Sequence, residues 1–195
     1  MKAVITGASS KVGQIVMKNF DYDWIPIDRT HGVTLPDNIC EFVRAVEDTT
    51  LFFNLANFST IQSDLLALTW NTWNSKKPKS PRKIISFGSL VTEIDMQTIL
   101  EMNDWTYFNR LREKSCYIAE KLLLNKTHLE YKDLHLKGWK NNYCLPQSIL
   151  IKFGNILLKN IRSEEPYTDE EQLVDVVNYA LHSKSYISDF EVRWD

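Results

Sequence analysis

Cysteine is scarce in this chain, and its scarcity narrows the field first. Only Cys40, Cys116 and Cys144 occur among 195 residues, far apart and odd in number. No Cys-x-x-Cys pair exists, which argues against a disulfide scaffold and a cysteine zinc site. Reduced thiols in a cytoplasmic protein are the expectation. Long apolar runs are missing as well. No stretch approaches the roughly eighteen residues of a membrane span, and the apolar start Met1–Gly7 is too short for a signal peptide. There is no large excess of charge: the net value is −2, so neither nucleic acid nor an anionic membrane is the expected partner. His31, His128, His135 and His182 form no metal-ligand spacing and read as surface or internally satisfied residues, so no metal is expected. Repeats and low-complexity tracts are absent. What remains is an ordinary globular composition, 44% hydrophobic and 25% charged, long enough for a real core in one domain over 1–195.

Short apolar runs alternate with amphipathic segments. Val4-Ile5 leads into Gly7, and a helix is expected over about Lys11 to Phe20. Trp24 to Ile27 reads as a second strand, and Val33-Thr34-Leu35 as the stub of a third. Pro36-Asp37 fits a helix start, with Ile39, Phe42, Val43 and Val46 on one face. Leu51 to Leu55 and Lys83 to Phe87 read as strands, with a helix after the first supported by Ile61, Leu65, Leu66 and Trp73. Between them, Ser75 to Arg82 is a basic, Pro-containing connector. A long helix is expected over about Phe108 to Leu124. Asn125 to Asn142 is polar and compatible with a helix or an excursion. Ile149 to Phe153, a helix over Asp169 to His182, and a strand within Tyr186 to Trp194 complete the chain. This alternation predicts an α/β protein with a parallel sheet flanked by helices.

The stretch "VITGASSKVG" carries the first chemistry. A helix N-terminus has unpaired N–H groups and partial positive charge, so it suits a pyrophosphate where the backbone can come close. Gly7 has no Cβ to block that approach, and Gly13 lets the helix pack on the sheet. Ser9 and Ser10 offer hydroxyl donors, and the Lys11 ammonium adds attraction for phosphate. A plain strand-to-helix turn would look much the same. Asp28, at the end of the next strand, stands where a carboxylate can accept from adenosine ribose hydroxyls, or it is a solvated loop aspartate. Arg29 beside it can pair with a 2′-phosphate.

Tyr117 and Lys121 stand at i and i+4 in "SCYIAEKLLL", one turn apart on one helix face. An ammonium near a phenol favours the phenolate and lowers its pKa, which suits proton exchange near neutral pH. Most isolated pairs of this kind are surface helix contacts.

Taken in order, these motifs resemble the short-chain dehydrogenase/reductase family. "TGASSKVG" resembles its glycine-rich loop, with Lys11 at the middle glycine. "NLAN" resembles its Asn-Asn-Ala-Gly strand end, with Asn57 at the final glycine. "IISFGSL" resembles its fifth strand and puts Ser89 at the catalytic serine, while "YIAEK" supplies Tyr117 and Lys121. "IKFGNI" resembles the turn after the sixth strand, with Phe153 for proline and Gly154 kept. The resemblance spans most of the chain. It implies a Rossmann-type doubly wound sheet with helices on both faces and a nicotinamide cofactor, NAD or NADP, with NAD favoured by Asp28. It further implies that Tyr117 exchanges a proton with the substrate oxygen, Ser89 holds that oxygen, and Lys121 tunes the tyrosine and binds the nicotinamide ribose. The implied cofactor-binding residues are the loop from Gly7 through Ser9, Ser10, Lys11 and Val12 to Gly13, then Asp28 and Arg29, Asn54 and Ala56, Lys121, and Gly154. The short segment between Asp28 and Leu51 indicates a trimmed strand–helix unit, similar to extended-branch enzymes such as dTDP-4-dehydrorhamnose reductase. The interval from Ser89 to Tyr117 leaves room for a substrate-covering insertion near 93–106.

Three readings follow. The first is an NAD(P)-dependent oxidoreductase acting on a small carbonyl or alcohol, with a homo-oligomer compatible with the resemblance. The second is a nucleotide-sugar reductase or epimerase. The third is a non-catalytic dinucleotide-binding scaffold or redox sensor.

Overall fold

The computed structural model describes residues 1–56, 59–89, 92, 115–138, 144–153, 155–156, 167–183 and 189–192. The elements are β1 (Lys2–Thr6), α1 (Lys11–Asn19), β2 (Asp23–Ile27), a single 3-10 turn (Arg29–His31), α2 (Ile39–Glu47), β3 (Leu51–Asn54), α3 (Ile61–Ser75) and β4 (Lys83–Ser89). They continue as α4 (Ser115–Gly138), β5 (Gln147–Phe153), β6 (Asn155–Ile156), β7 (Tyr167–Thr168), α5 (Glu170–His182) and β8 (Asp189–Val192). Six strands form one sheet in the order β2-β1-β3-β4-β5-β8, and β6 pairs with β7 separately. Every pairing in the large sheet is parallel.

Side-chain alternation sorts the core into two layers. Ala3, Ile5, Leu51, Phe53, Ile85, Phe87, Ile149 and Ile151 point to the face covered by α1 and α5. Their neighbours Val4, Phe52, Ile84 and Leu150 point to the opposite face, under α2, α3 and α4. A sheet buried on both faces gives short apolar runs, as these strands read. Because all strands run the same way, their C-terminal ends share one edge. The order reverses between β1, whose other neighbour is β2, and β3, which leads on to β4. A crevice outside the strand ends at such a reversal is where open α/β sheets bind ligands.

The expected third-strand stub does not pair. Val33 and Leu35 pack their side chains against the α2/α3 core while their backbone stays irregular. Pro26 explains part of this. Ile27 O accepts from Gly7 N at 3.3 Å, so residue 27 faces β1 and Pro26 faces outward. The proline therefore presents no donor to a further strand, and β2 remains the edge.

Two polar devices fix α5. Asp169 caps it by accepting from Gln172 N at 2.7 Å, and the Gln172 side chain returns a bond to Asp169 N. At the other end, the Lys83 ammonium donates to the carbonyls of Ala180, Leu181 and Ser183, tying the helix C-terminus to β4.

Helix α4 is longer than its sequence pattern suggests. It runs 24 residues to Gly138, through the segment whose character was open, while 108–114 lie outside the described residues. Its inward positions include Lys121, Leu124, His128 and His135, whereas Leu122, Leu129 and Leu136 are exposed. The polar inward groups are satisfied. His128 Nδ1 shares a hydrogen bond with Ser148 Oγ at 2.8 Å, and its Nε2 meets Asp189 Oδ1 at 3.0 Å. His135 Nδ1 meets Pro146 O at 3.0 Å.

The loop after β1 is the tightest backbone junction near the sheet edge. A Cβ on Gly13 would stand 2.5 Å from Gly7 O and 2.6 Å from Ala8 O. These are main-chain atoms, so the helix start or the loop must shift. Gly13→Ala is therefore expected to destabilise the protein by about 1–3 kcal/mol, the usual cost of overpacking. Urea unfolding checks this, and an unchanged midpoint would mean the junction yields freely.

Candidate functional site

Gly7 adopts φ +65°, a conformation that favours glycine. Its reason for being glycine is internal: a Cβ there would lie 2.9 Å from Leu55 O, across from the end of β3. Thr6 fastens the same junction, because its Oγ1 accepts from the N–H groups of Leu55 and Ala56, both at 3.1 Å. Gly13 likewise clears the carbonyls of the loop itself rather than the sheet. Ser10 is the N-cap of α1, accepting from Gly13 N at 3.1 Å. Ser10 N bonds back to Gly7 O and Gln14 N begins the helix ladder. That leaves the N–H groups of Lys11 and Val12 to lead the helix at the sheet edge, beside the exposed Lys11 side chain.

Asp28 is bound to this loop. Its Oδ2 accepts from Ser9 N at 2.7 Å, and its Oδ1 takes His31 N at 3.1 Å and meets His31 Nδ1 at 2.7 Å. Burial raises the carboxyl pKa, but the hydrogen bonds from His31 and Ser9 outweigh it and hold the group at about 2. Asp28 is thus a fixed negative charge at the end of β2. Arg29 is exposed beside it.

The second half of the site is built at the ends of β3 and β4 against α4. Ser89 ends β4, close enough to Tyr117 to lower the pKa of its phenol. Thr92 Oγ1 donates to Ser89 O at 2.8 Å and accepts from Asn125 Nδ2 at 3.0 Å, which ties the end of β4 to α4 one turn beyond Lys121. Lys121 is 5% exposed. Its Nζ donates to Gln62 Oε1 at 2.7 Å and to Phe87 O at 3.0 Å, and sits 5.4 Å from the centroid of the Tyr117 ring.

The electrostatics differ from the simple expectation for this pair. Burial pushes the Tyr117 phenol up, the Ser89 hydrogen bond brings it partly back, and Glu120 adds repulsion. Lys121 is pushed down to about 8 by burial, with Glu120 opposing the change. The expected depression of the tyrosine by the ammonium is not the net result. The ammonium lies over the ring, is spent on two oxygens, and is itself poorly solvated. Tyr117 is accordingly a phenol at neutral pH, suited to give a proton.

The fold brings together Ser89, Tyr117 and Lys121, and separately joins the Gly7 loop to Asp28. Ala56 follows β3 beside Thr6. Asn54 lies within the protein: it is 0% exposed, and its Nδ2 donates to Gln62 O at 2.7 Å and Ser86 Oγ at 3.4 Å. Its Oδ1 is buried without a partner. Gly154, Asn57 and the expected insertion at 93–106 lie outside the described residues. Three participants escape sequence reasoning: Thr6, His31 and above all Gln62. The signal for Gln62 was faint, a polar residue on the Ile61/Leu65 face of α3 where periodicity calls for an apolar one.

No family model matches the chain, and no curated protein matches it. Among solved structures it is similar to a bulky-bulky ketone specific alcohol dehydrogenase from Comamonas testosteroni, at 15% identity and TM-score 0.62, covering 96% of this chain and 85% of that one. It is also similar to the 3-alpha-hydroxysteroid dehydrogenase from Pseudomonas sp. B-0831, complexed with NADH, at 13% identity and TM-score 0.61 over 98% and 95% of the two chains. A short chain dehydrogenase from Burkholderia cenocepacia J2315, in complex with NADP, matches at 12% identity and TM-score 0.60 over 98% and 88%. At such identities the likeness is one of fold: the six-stranded parallel sheet with helices on both faces is a Rossmann-type fold.

Proposed function

We propose that this chain is an NAD(P)-dependent oxidoreductase of the short-chain dehydrogenase/reductase type, acting on a carbonyl or the matching alcohol. One observation carries the reading. Tyr117 lies under the ammonium of a buried Lys121 one helical turn away, with Ser89 lowering its pKa, at the same sheet edge as the Gly7 loop. Solved structures of the same fold hold NADH or NADP, which supports a nicotinamide cofactor here.

The residues present fit such a cofactor. The Lys11 and Val12 N–H groups and the Lys11 ammonium suit a pyrophosphate, with Ser9, Ser10 and the two glycines shaping the loop. Asp28 and Arg29 would face the adenosine end, Ala56 would line the strand edge, and Lys121 would reach the nicotinamide ribose. When bound, the nicotinamide supplies or accepts the hydride. Ser89 holds the substrate oxygen and Tyr117 exchanges a proton with it. Tyr117 is a phenol at neutral pH, and burial raises its pKa further, so it would give its proton to the substrate oxygen in carbonyl reduction. The missing unit beyond β2 favours a second reading, a nucleotide-sugar reductase.

Tyr117→Phe is expected to leave dinucleotide binding intact and to cut turnover by about two to four orders of magnitude. Lys121→Met is expected to impair both. Loss of NADH or NADPH absorbance across a carbonyl panel, beside a binding titration, checks this. A Phe variant with near wild-type turnover would end the catalytic assignment, and binding without turnover in the wild type would favour a non-catalytic scaffold.

Cofactor choice is a contest between Asp28, which repels a 2′-phosphate, and the exposed Arg29 and Lys11, which attract one. The fixed charge of Asp28 at its strand end supports NAD. NADH is expected to bind about tenfold more tightly than NADPH, or about 1.4 kcal/mol. Parallel fluorescence titrations test this, and the reverse order would mean that the two bases prevail.

A further inference from the structure

Gln62 lies in the first turn of α3 and is 4% exposed, yet every polar atom of its side chain is used. Its Nε2 donates to Asn54 O at 2.7 Å and to Phe87 O at 3.1 Å. Its Oε1 accepts from Lys121 Nζ at 2.7 Å. Asn54 Nδ2 returns a bond to the Gln62 main-chain carbonyl at 2.7 Å. The amide cannot be reversed, because two carbonyl oxygens face its nitrogen and an ammonium faces its oxygen. One side chain therefore joins the ends of β3 and β4 to the lysine of α4.

We propose that Gln62 is the positioning residue for Lys121: it holds the ammonium at the junction of β3, β4 and α4 and leaves one donor for the ribose of a bound dinucleotide. This rests on the reading of Lys121 as a cofactor-binding residue. An ammonium has three donors, and Gln62 Oε1 and Phe87 O take two of them. The third is then confined to a single direction rather than swept around the flexible stem. A neutral amide also does what its neighbours in chemistry cannot. Glutamate at this position would place a carboxylate against the carbonyls of Asn54 and Phe87 and would lock Lys121 in its charged form. Leucine would leave both carbonyls and the ammonium short of partners. Among the described residues, the titratable groups facing Lys121 are Tyr117 and Glu120, both on its own helix, while α3 brings the Gln62 amide and β4 the Phe87 carbonyl. Lys121 burial pushes its pKa down to about 8, so its charge state responds to the acceptor placed beside it.

The test uses the full chain as wild type, Gln62→Glu and Gln62→Leu. The ¹³Cε resonance of Lys121, assigned by its loss in Lys121→Met, is followed against pH, and NADH binding is followed by fluorescence with thermal unfolding recorded alongside. Gln62→Glu is expected to raise the Lys121 titration midpoint by about one unit or more. Gln62→Leu, still unfolding cooperatively, is expected to bind NADH about tenfold or more weakly. Both results are required. A Lys121 midpoint unmoved in Gln62→Glu overturns the proposal, as does wild-type affinity in Gln62→Leu. Should Gln62→Leu fail to fold, Gln62→Glu carries the test through the Lys121 midpoint, and an unmoved midpoint overturns the proposal. A wild type that binds neither NADH nor NADPH instead sinks the cofactor reading, while the titration still reports whether Gln62 governs Lys121.

Discussion

A lysine ammonium taken out of water is the constraint around which this molecule is arranged. Lys121 loses hydration that a surface lysine keeps, and two oxygens 2.7 and 3.0 Å away replace it only in part. Those oxygens come from α3 and β4, so the ammonium binds α4 to the layer it covers at the sheet edge. Gln62 extends the junction to β3 through Asn54. Thr92 and Asn125 hold the end of β4 to the next turn of α4. A protein seeking only stability could fill this place with a methionine. A buried lysine over a tyrosine ring at the sheet edge is the observation on which the proposed active site rests.

The other half of the crevice is held by backbone rather than charge. Gly7 and Gly13 are demanded by main-chain oxygens of Leu55, Gly7 and Ala8, and Thr6 binds the end of β3 to the loop. Asp28 then ties β2 to the loop through Ser9. The leading N–H groups of α1 are positioned by this clamp, as the proposed dinucleotide site requires. Preorganised donors of this sort lower the cost of ordering on binding.

The strands were legible because residues alternating between two buried faces leave short, dense apolar runs such as Leu51–Asn54. That Tyr117 and Lys121 share a helix face was legible from their spacing of four, and the ammonium lies 5.4 Å from the ring centroid. Helix α4 was legible only in part. Its seam carries Lys121, His128 and His135 beside Leu124, and its outer face carries Leu122, Leu129 and Leu136, so the usual link between apolarity and burial is weakened. Each inward polar group has a partner in the sheet or its flanking loops, and such pairing across the chain leaves no local trace. The same holds for Gln62, whose partners are Asn54, Phe87 and Lys121. The direction of the Tyr117 shift was also hidden, because burial, rather than the neighbouring lysine, decides it.

The stability of wild type against Lys121→Met, measured by denaturant unfolding from pH 7 to 11, tests the buried ammonium most directly. The lysine titrates at about 8 in the folded protein and near 10.4 in the unfolded chain. Between those values the unfolded state binds more protons, so stability attributable to Lys121 is lowest below pH 8 and rises as the pH passes through the window. The difference between wild type and variant is therefore expected to grow in favour of wild type from about pH 8 to 10.4 and then to level off. Parallel curves across that window would contradict the account, since they would mean that Lys121 keeps an ordinary, solvated charge.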